Sequence, residues 1–159
     1  MSSRLICGGC VGYRGDPMIT PSLPTAEQLN EAVTGYDRHY GLEFLEFSET
    51  EVRAQVAVRE EIKQPMGLVH GGLYASLAES MASLATAASV IEEGKLATGM
   101  SNSTSFLRPI TDGLVHARAE RLHRGRTTWV WDVTFSDDEG RTCAVTRMTI
   151  AVRPLPASS

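Results

Sequence analysis

Cysteine is sparse in this chain. Three among 159 residues cannot all pair with one another, and a secreted scaffold of this size would usually carry more. Basic charge is also short: 15 Lys and Arg against 19 Asp and Glu leave a formal net charge of -4. That is the wrong sign for a protein whose main partner is nucleic acid. No apolar run approaches the roughly 18 residues that span a bilayer. Near the start only Leu5 and Ile6 follow Arg4, well short of the ~7–15 apolar residues of a signal peptide, so a reducing cytoplasm is the expected setting. H-E-x-x-H is missing, and His39, His116 and His123 lack ligand spacing, which argues against a metal site. G-x-S-x-G is missing as well, which removes the serine hydrolases built on that turn.

What is present suits one globular domain: 42% of residues are apolar and 21% charged, too apolar for disorder. Residues 1–24, rich in Gly, Pro and Ser, are expected to form a loosely held arm in which Met18 is an alternative start. Cys7-Gly8-Gly9-Cys10 lies in this arm without the second pair that a zinc site needs, and reads as two free thiols. Residues 25–153 are expected to be the folded domain and 154–159 a tail.

Within the domain, Thr25 with Glu27-Gln28 predicts a short helix running to about Tyr36, with Gly41 as a break. Leu42 to Phe47 predicts a strand. Val52, Ala54, Val56 and Val58 then alternate with polar residues in a second. Gln64-Pro65-Met66-Gly67 stops regular structure. Gly71 to Ile91 predicts one long helix with Leu73, Leu77, Met81, Leu84, Ala88 and Ile91 as its apolar stripe. Four strands follow: Ala97 to Leu107, one alternating at Val115, Ala117 and Ala119, one alternating at Trp129, Trp131, Val133 and Phe135, and Thr142 to Val152 with no clear inward face. Short links between them require antiparallel pairing, so the expected class is α+β, an antiparallel sheet of about six strands wrapped around one long helix.

The chemistry concentrates where that helix begins. Val69-His70-Gly71-Gly72 leads into it without a Ser, Thr, Asp or Asn to cap the first amides. Open amides at the positive end of a helix suit an oxyanion or a polarised carbonyl. A start at Ser76, with Ser76-Leu77-Ala78-Glu79 as a capping box, would instead make the glycines a plain turn, and on spacing alone both readings stand. Glu79 lies roughly 200° around the wheel from Leu77, on a face with Ala75, Ser76, Ser83 and Thr86. No Lys or Arg occurs between Gly71 and Glu93, so this acid has no local ion-pair partner. It is either an ordinary wet surface acid or a partly desolvated one available as nucleophile or general base.

Gln64, Gly67-Leu68-Val69-His70-Gly71-Gly72-Leu73, Leu77-Ala78-Glu79-Ser80 and Ser83, with Asn102, Phe106-Leu107-Arg108-Pro109 and Gly125-Arg126-Thr127, resemble the hotdog-fold acyl-CoA thioesterases of the phenylacetate-pathway (PaaI) type. The resemblance runs from about Gly41 to Val152. A helix Glu followed four residues on by Ser is closest to the branch acting on aromatic acyl-CoA thioesters. Another branch, with Asp at that position and Asn at the Gln position, differs from this sequence. The resemblance implies a thioesterase for an aryl- or medium-chain acyl-CoA. In it the Gly71 N–H polarises the carbonyl, Glu79 attacks the carbon or activates water, Gln64 and His70 position the thioester or the water, and Ser83 bonds near the reacting centre. It implies a site between two subunits, hence a homodimer or homotetramer, with CoA as part of the substrate and no separate cofactor. Met66 and Phe106 are expected to line the acyl pocket, with Gly72 and Asn102 also among the substrate-binding residues, whereas Met81 fits a plain core position better than a pocket one. Arg108, Arg124, Gly125, Arg126, Thr127 and Thr128 offer cations and hydroxyls to CoA phosphates, or serve as ordinary hairpin residues. A non-catalytic acyl-CoA-binding hotdog and a hotdog hydratase or dehydratase are the alternatives.

Overall fold

The computed structural model describes residues 23–156. Cys7, Cys10 and the expected N-terminal arm lie outside them, apart from its last two residues. The first helix is two helices. Thr25 opens α1 (Ala26–Ala32) with a reciprocal capping box to Gln28. Val33 and Thr34 then adopt extended ψ values of 124° and 178°. Two β-branched residues favour that break over a continuous helix. The second helix, α2 (Gly35–Tyr40), ends at Gly41, whose φ of 80° is the left-handed value that closes a helix.

Strands β1 (Glu43–Phe47), β2 (Glu51–Ala57), β3 (Lys95–Phe106), β4 (Leu114–Arg124), β5 (Thr128–Ser136) and β6 (Thr142–Pro154) form one sheet in the order β1-β2-β4-β5-β6-β3. Every pairing is antiparallel. The alternation read in β2, β4 and β5 is the buried face: Val52, Val56, Val115, Ala119, Trp131 and Phe135 are fully covered. Strand β6 does have an inward face after all, carried by Ala144, Thr146, Met148, Ile150 and Val152.

The long helix α3 spans Gly71–Val90 and packs against one face of the sheet. Its buried side is broader than the expected stripe. Leu73-Tyr74, Leu77-Ala78, Met81-Ala82 and Ala85-Thr86 are buried in pairs, one pair per turn, whereas Leu84 and Ala88 are only half-buried. The helix meets β2, β3, β4, β5 and β6, and so many strands cover more than one narrow row of it. Thr86 sits within this face because its hydroxyl accepts from the Trp131 indole N–H at 3.0 Å and donates to the Ala82 carbonyl at 2.8 Å. No helix of the described residues is long and apolar enough to cross a membrane.

The two sheet edges differ. On β1, the Asn30 side-chain amide donates to the Phe44 carbonyl at 2.9 Å and accepts from its N–H at 2.7 Å, taking the place of a neighbouring strand. A bulge and the charges of Glu43 and Glu46 further blunt this edge. Among the described residues strand β3 has no such protection. It is 12 residues long, runs Ser-Asn-Ser-Thr-Ser through its second half, and carries no charge after Lys95.

Candidate active site

Helix α3 begins at Gly71, not at Ser76, whose hydroxyl donates instead to the Gly72 carbonyl at 2.8 Å. The cap is His70. Its Nδ1 accepts from the Gly72 N–H at 2.9 Å, so one of the amides expected to be open is closed. With Nδ1 accepting, the neutral ring carries its proton on Nε2 and presents a donor. Among the described residues the Gly71 N–H has no acceptor. A Cβ on Gly71 would stand 2.9 Å from the Phe106 ring, which therefore packs directly over this turn.

Three contacts lay α3 antiparallel along β3. Phe106 covers Gly71, the Asn102 side chain donates to the Ala75 carbonyl at 2.9 Å, and Glu79 leans against Gly99. Within a single chain the Glu79 side chain is exposed, and no basic residue of the described chain pairs with it. Ser83, one turn further on, carries the one buried side-chain oxygen or nitrogen among the described residues with no hydrogen-bond partner. Such a hydroxyl is costly to leave alone. Glu79 lies eight residues beyond Gly71, or about 12 Å along the axis. One carbonyl cannot touch both groups of the same chain.

Gln64 opens the tight turn before the helix. Its carbonyl accepts from the Gly67 N–H at 2.9 Å, and its side-chain oxygen accepts from the Met66 N–H at 3.3 Å. Gly67, with a φ of 80°, closes that turn, and Met66 stands 80% exposed at its tip. Met81 is fully buried in the core. The structure thus gathers Gln64, Met66, His70, Gly71, Gly72 and Phe106 at one end of α3. It sets Glu79 and Ser83 at mid-helix, beside Gly99.

The arginines do not form one basic spot. Arg108 lies at the Phe106 end of β3, whereas Arg124, Gly125 and Arg126 line a cleft of about 210 Å³ with Lys95 at the other end. The length of β3, about 36 Å, separates them. Arg124 is engaged: it pairs with Glu49 and, at 3.4 Å, with Glu93, and it lies 5.1 Å above the Trp129 ring. Gly125 fits a tight turn, since a Cβ there would meet the Thr128 carbonyl at 2.7 Å. Thr127 offers its carbonyl to Arg153 at 2.8 Å, and Thr128 starts β5. Arg108 and Arg126 are exposed and have no acidic partner among the described residues. No cluster of three or more potential metal-ligating side chains occurs among the described residues.

The thioesterase superfamily description matches residues 66–144. A thioesterase from Pseudomonas aeruginosa superposes with a TM-score of 0.78 at 35% identity, over 87% of this chain and 98% of its own. The 1,4-dihydroxy-2-naphthoyl-CoA hydrolase of Listeria monocytogenes is 34% identical over 75% of this chain and 96% of its own. The chain belongs to the thioesterase superfamily. A thioesterase from Staphylococcus aureus, 28% identical over 76% of this chain and 100% of its own, matches with a TM-score of 0.73. The six-stranded antiparallel sheet around α3 is the hotdog fold, and the protein is a thioester hydrolase.

Asn102, expected among the substrate-binding residues, also clamps β3 to α3 through its amide. Gly99 belongs to no motif in the sequence, and the one signal it gives is that of a glycine inside a strand.

Proposed function

We propose that this thioesterase hydrolyses an aryl- or medium-chain acyl-CoA to the free acid and CoA, in a site shared by two copies of the chain. The observation that carries it is the placement of two incomplete half-sites along one bare strand. Glu79, without a partner, rests at Gly99; the open Gly71 amide rests at Phe106. If two β3 edges pair antiparallel about a two-fold axis between Asn102 and Ser103, Gly99 of one copy lies opposite Phe106 of the other. Glu79 then meets the partner's Gly71 amide across the seam. The same pairing covers the uncharged edge, shelters Glu79, and brings the Arg108 end of one strand to the Lys95 and Arg126 end of the other, where cations suit CoA phosphates.

In this arrangement the Gly71 N–H receives the carbonyl oxygen as negative charge develops on it. The proton on His70 Nε2 and the amide of Gln64 orient the thioester or the water. Glu79 takes a proton from water as the water oxygen adds to the carbonyl carbon. The C–S bond then breaks and the proton passes to the departing thiolate. Alternatively Glu79 adds directly, and water hydrolyses the resulting anhydride. No separate cofactor is required by either route, and the cytoplasm is the setting.

Relatives add support. The Staphylococcus aureus thioesterase was solved with a Gln-to-Ala and with a Glu-to-Ala substitution at positions 15 residues apart, the interval from Gln64 to Glu79. The Listeria relative, named for an aryl-CoA substrate, favours an aromatic acyl group. A panel of benzoyl-, hydroxybenzoyl-, naphthoyl-, branched and straight-chain acyl-CoAs, followed by thiol release, tests the reading. Glu79→Ala should lower kcat by several orders of magnitude with little change in KM; unchanged turnover refutes it.

A further inference from the structure

Gly99 sits in the interior of β3 with no turn to require it. Its φ is not in the left-handed region, and glycine within a strand gives up side-chain packing and backbone order. The space a side chain would fill is taken by Glu79. A Cβ on Gly99 would stand 2.9 Å from Oε1, 3.5 Å from Cδ and 3.8 Å from Cγ of that residue. Immediately beyond, between Gly99 and Ser101, β3 slips register by a bulge, a feature that re-aims a strand against its neighbours.

We propose that Gly99 is a positioning residue for the reaction: the absent side chain is the seat that lets the Glu79 carboxylate lie flat on β3 and fixes its direction. The proposal rests on the reading of Glu79 as the reacting acid. With no ion pair and no hydrogen bond from the described residues to hold it, the carboxylate takes its direction from the surface under it. A methyl group at 99 forces Oε1 back from 2.9 Å to an ordinary contact of at least 3.4 Å, or turns the side chain to another rotamer. Because the atom that gives way is the mobile end of a side chain, the fold absorbs the change while the acid loses its aim. A displacement of about 1 Å at a reacting group costs about 100-fold in rate.

The test compares Glu79→Ala, Gly99→Ala, Glu79→Asp and the double variant Gly99→Ala/Glu79→Asp on one aryl-CoA substrate, with kcat, KM and melting temperature for each. Gly99→Ala should lower kcat by about 10- to 100-fold with KM within about twofold and no loss of melting temperature. In the Glu79→Asp background, whose carboxylate is one methylene shorter and clears the methyl, the same change should alter kcat less than about threefold. Wild-type kcat in Gly99→Ala, an equal loss in both backgrounds, or a melting temperature several degrees lower overturns the proposal. Full turnover by Glu79→Ala would instead overturn the reading of Glu79 itself, so the two failures are told apart.

Discussion

Thr86→Val perturbs the bond that fixes the rotation of α3 about its own axis. Thr86 and Trp131 are both fully buried, and the indole N–H has the Thr86 hydroxyl as its acceptor. Valine keeps the shape of threonine, so little cavity is created. The Ala82 carbonyl loses only the extra bond from the hydroxyl, since the helix still supplies it a backbone donor. What remains is one buried N–H without a partner, which costs about 1–3 kcal/mol. In a chain of this size each kcal/mol moves the melting temperature by about 2–4 °C, so a fall of about 2–12 °C is expected. Ser89→Ala is the control: its hydroxyl makes the same bond back to the Ala85 carbonyl at 2.8 Å, but no donor depends on it, and its melting should stay within about 0.5 kcal/mol of wild type. The assay is thermal and urea unfolding at one fixed protein concentration, because a subunit equilibrium would shift the midpoint. A Thr86→Val protein that melts with the wild type would show that the buried bond does not hold the helix, and the reasoning would fail.

Two further outcomes follow from individual side chains. Ser83→Ala removes a buried hydroxyl that has no partner among the described residues. Melting temperature should hold or rise while kcat falls about tenfold; a stability loss without a rate loss would mark Ser83 as structural. The Arg118 and Arg53 guanidiniums hold the Glu51 carboxyl down from 4.5 to about 2. A depressed folded value means that this contribution to stability is present above about 4.5 and is lost as pH falls through about 2. Glu51→Gln should therefore melt with a shallower pH dependence between those limits, and an unchanged slope would contradict the pairing.

Much of the fold was legible because a half-buried strand repeats every two residues, and β2, β4 and β5 each expose one face. The start of α3 was legible only as one of two alternatives, Gly71 or Ser76, because its cap is His70 and histidine is not among the residues that usually cap helices. The split between α1 and α2 depends on Val33 and Thr34, whose β-branching lowers helix propensity too slightly to outweigh the flanking pattern. Bonds such as Asn30 to Phe44, Asn102 to Ala75 and Trp131 to Thr86 leave no local pattern at all. For the site, residue types and spacing left Glu79 either a surface acid or a reacting one, and the roles expected of Glu79 and Gly71 came from the resemblance. Gly99 opposite Glu79, and the ~12 Å between Glu79 and the Gly71 amide of the same chain, are properties of packing and helix rise.

The shared site is tested most directly by mixing two inactive proteins, Glu79→Ala and Gln64→Ala, through denaturation and joint refolding. If acid and turn come from different copies, each mixed dimer holds one doubly damaged site and one intact one. Thiol release should then recover to roughly a quarter of the wild-type rate. A mixture that stays as inactive as its two components, while an affinity tag carried by one variant co-purifies the untagged other, would contradict it.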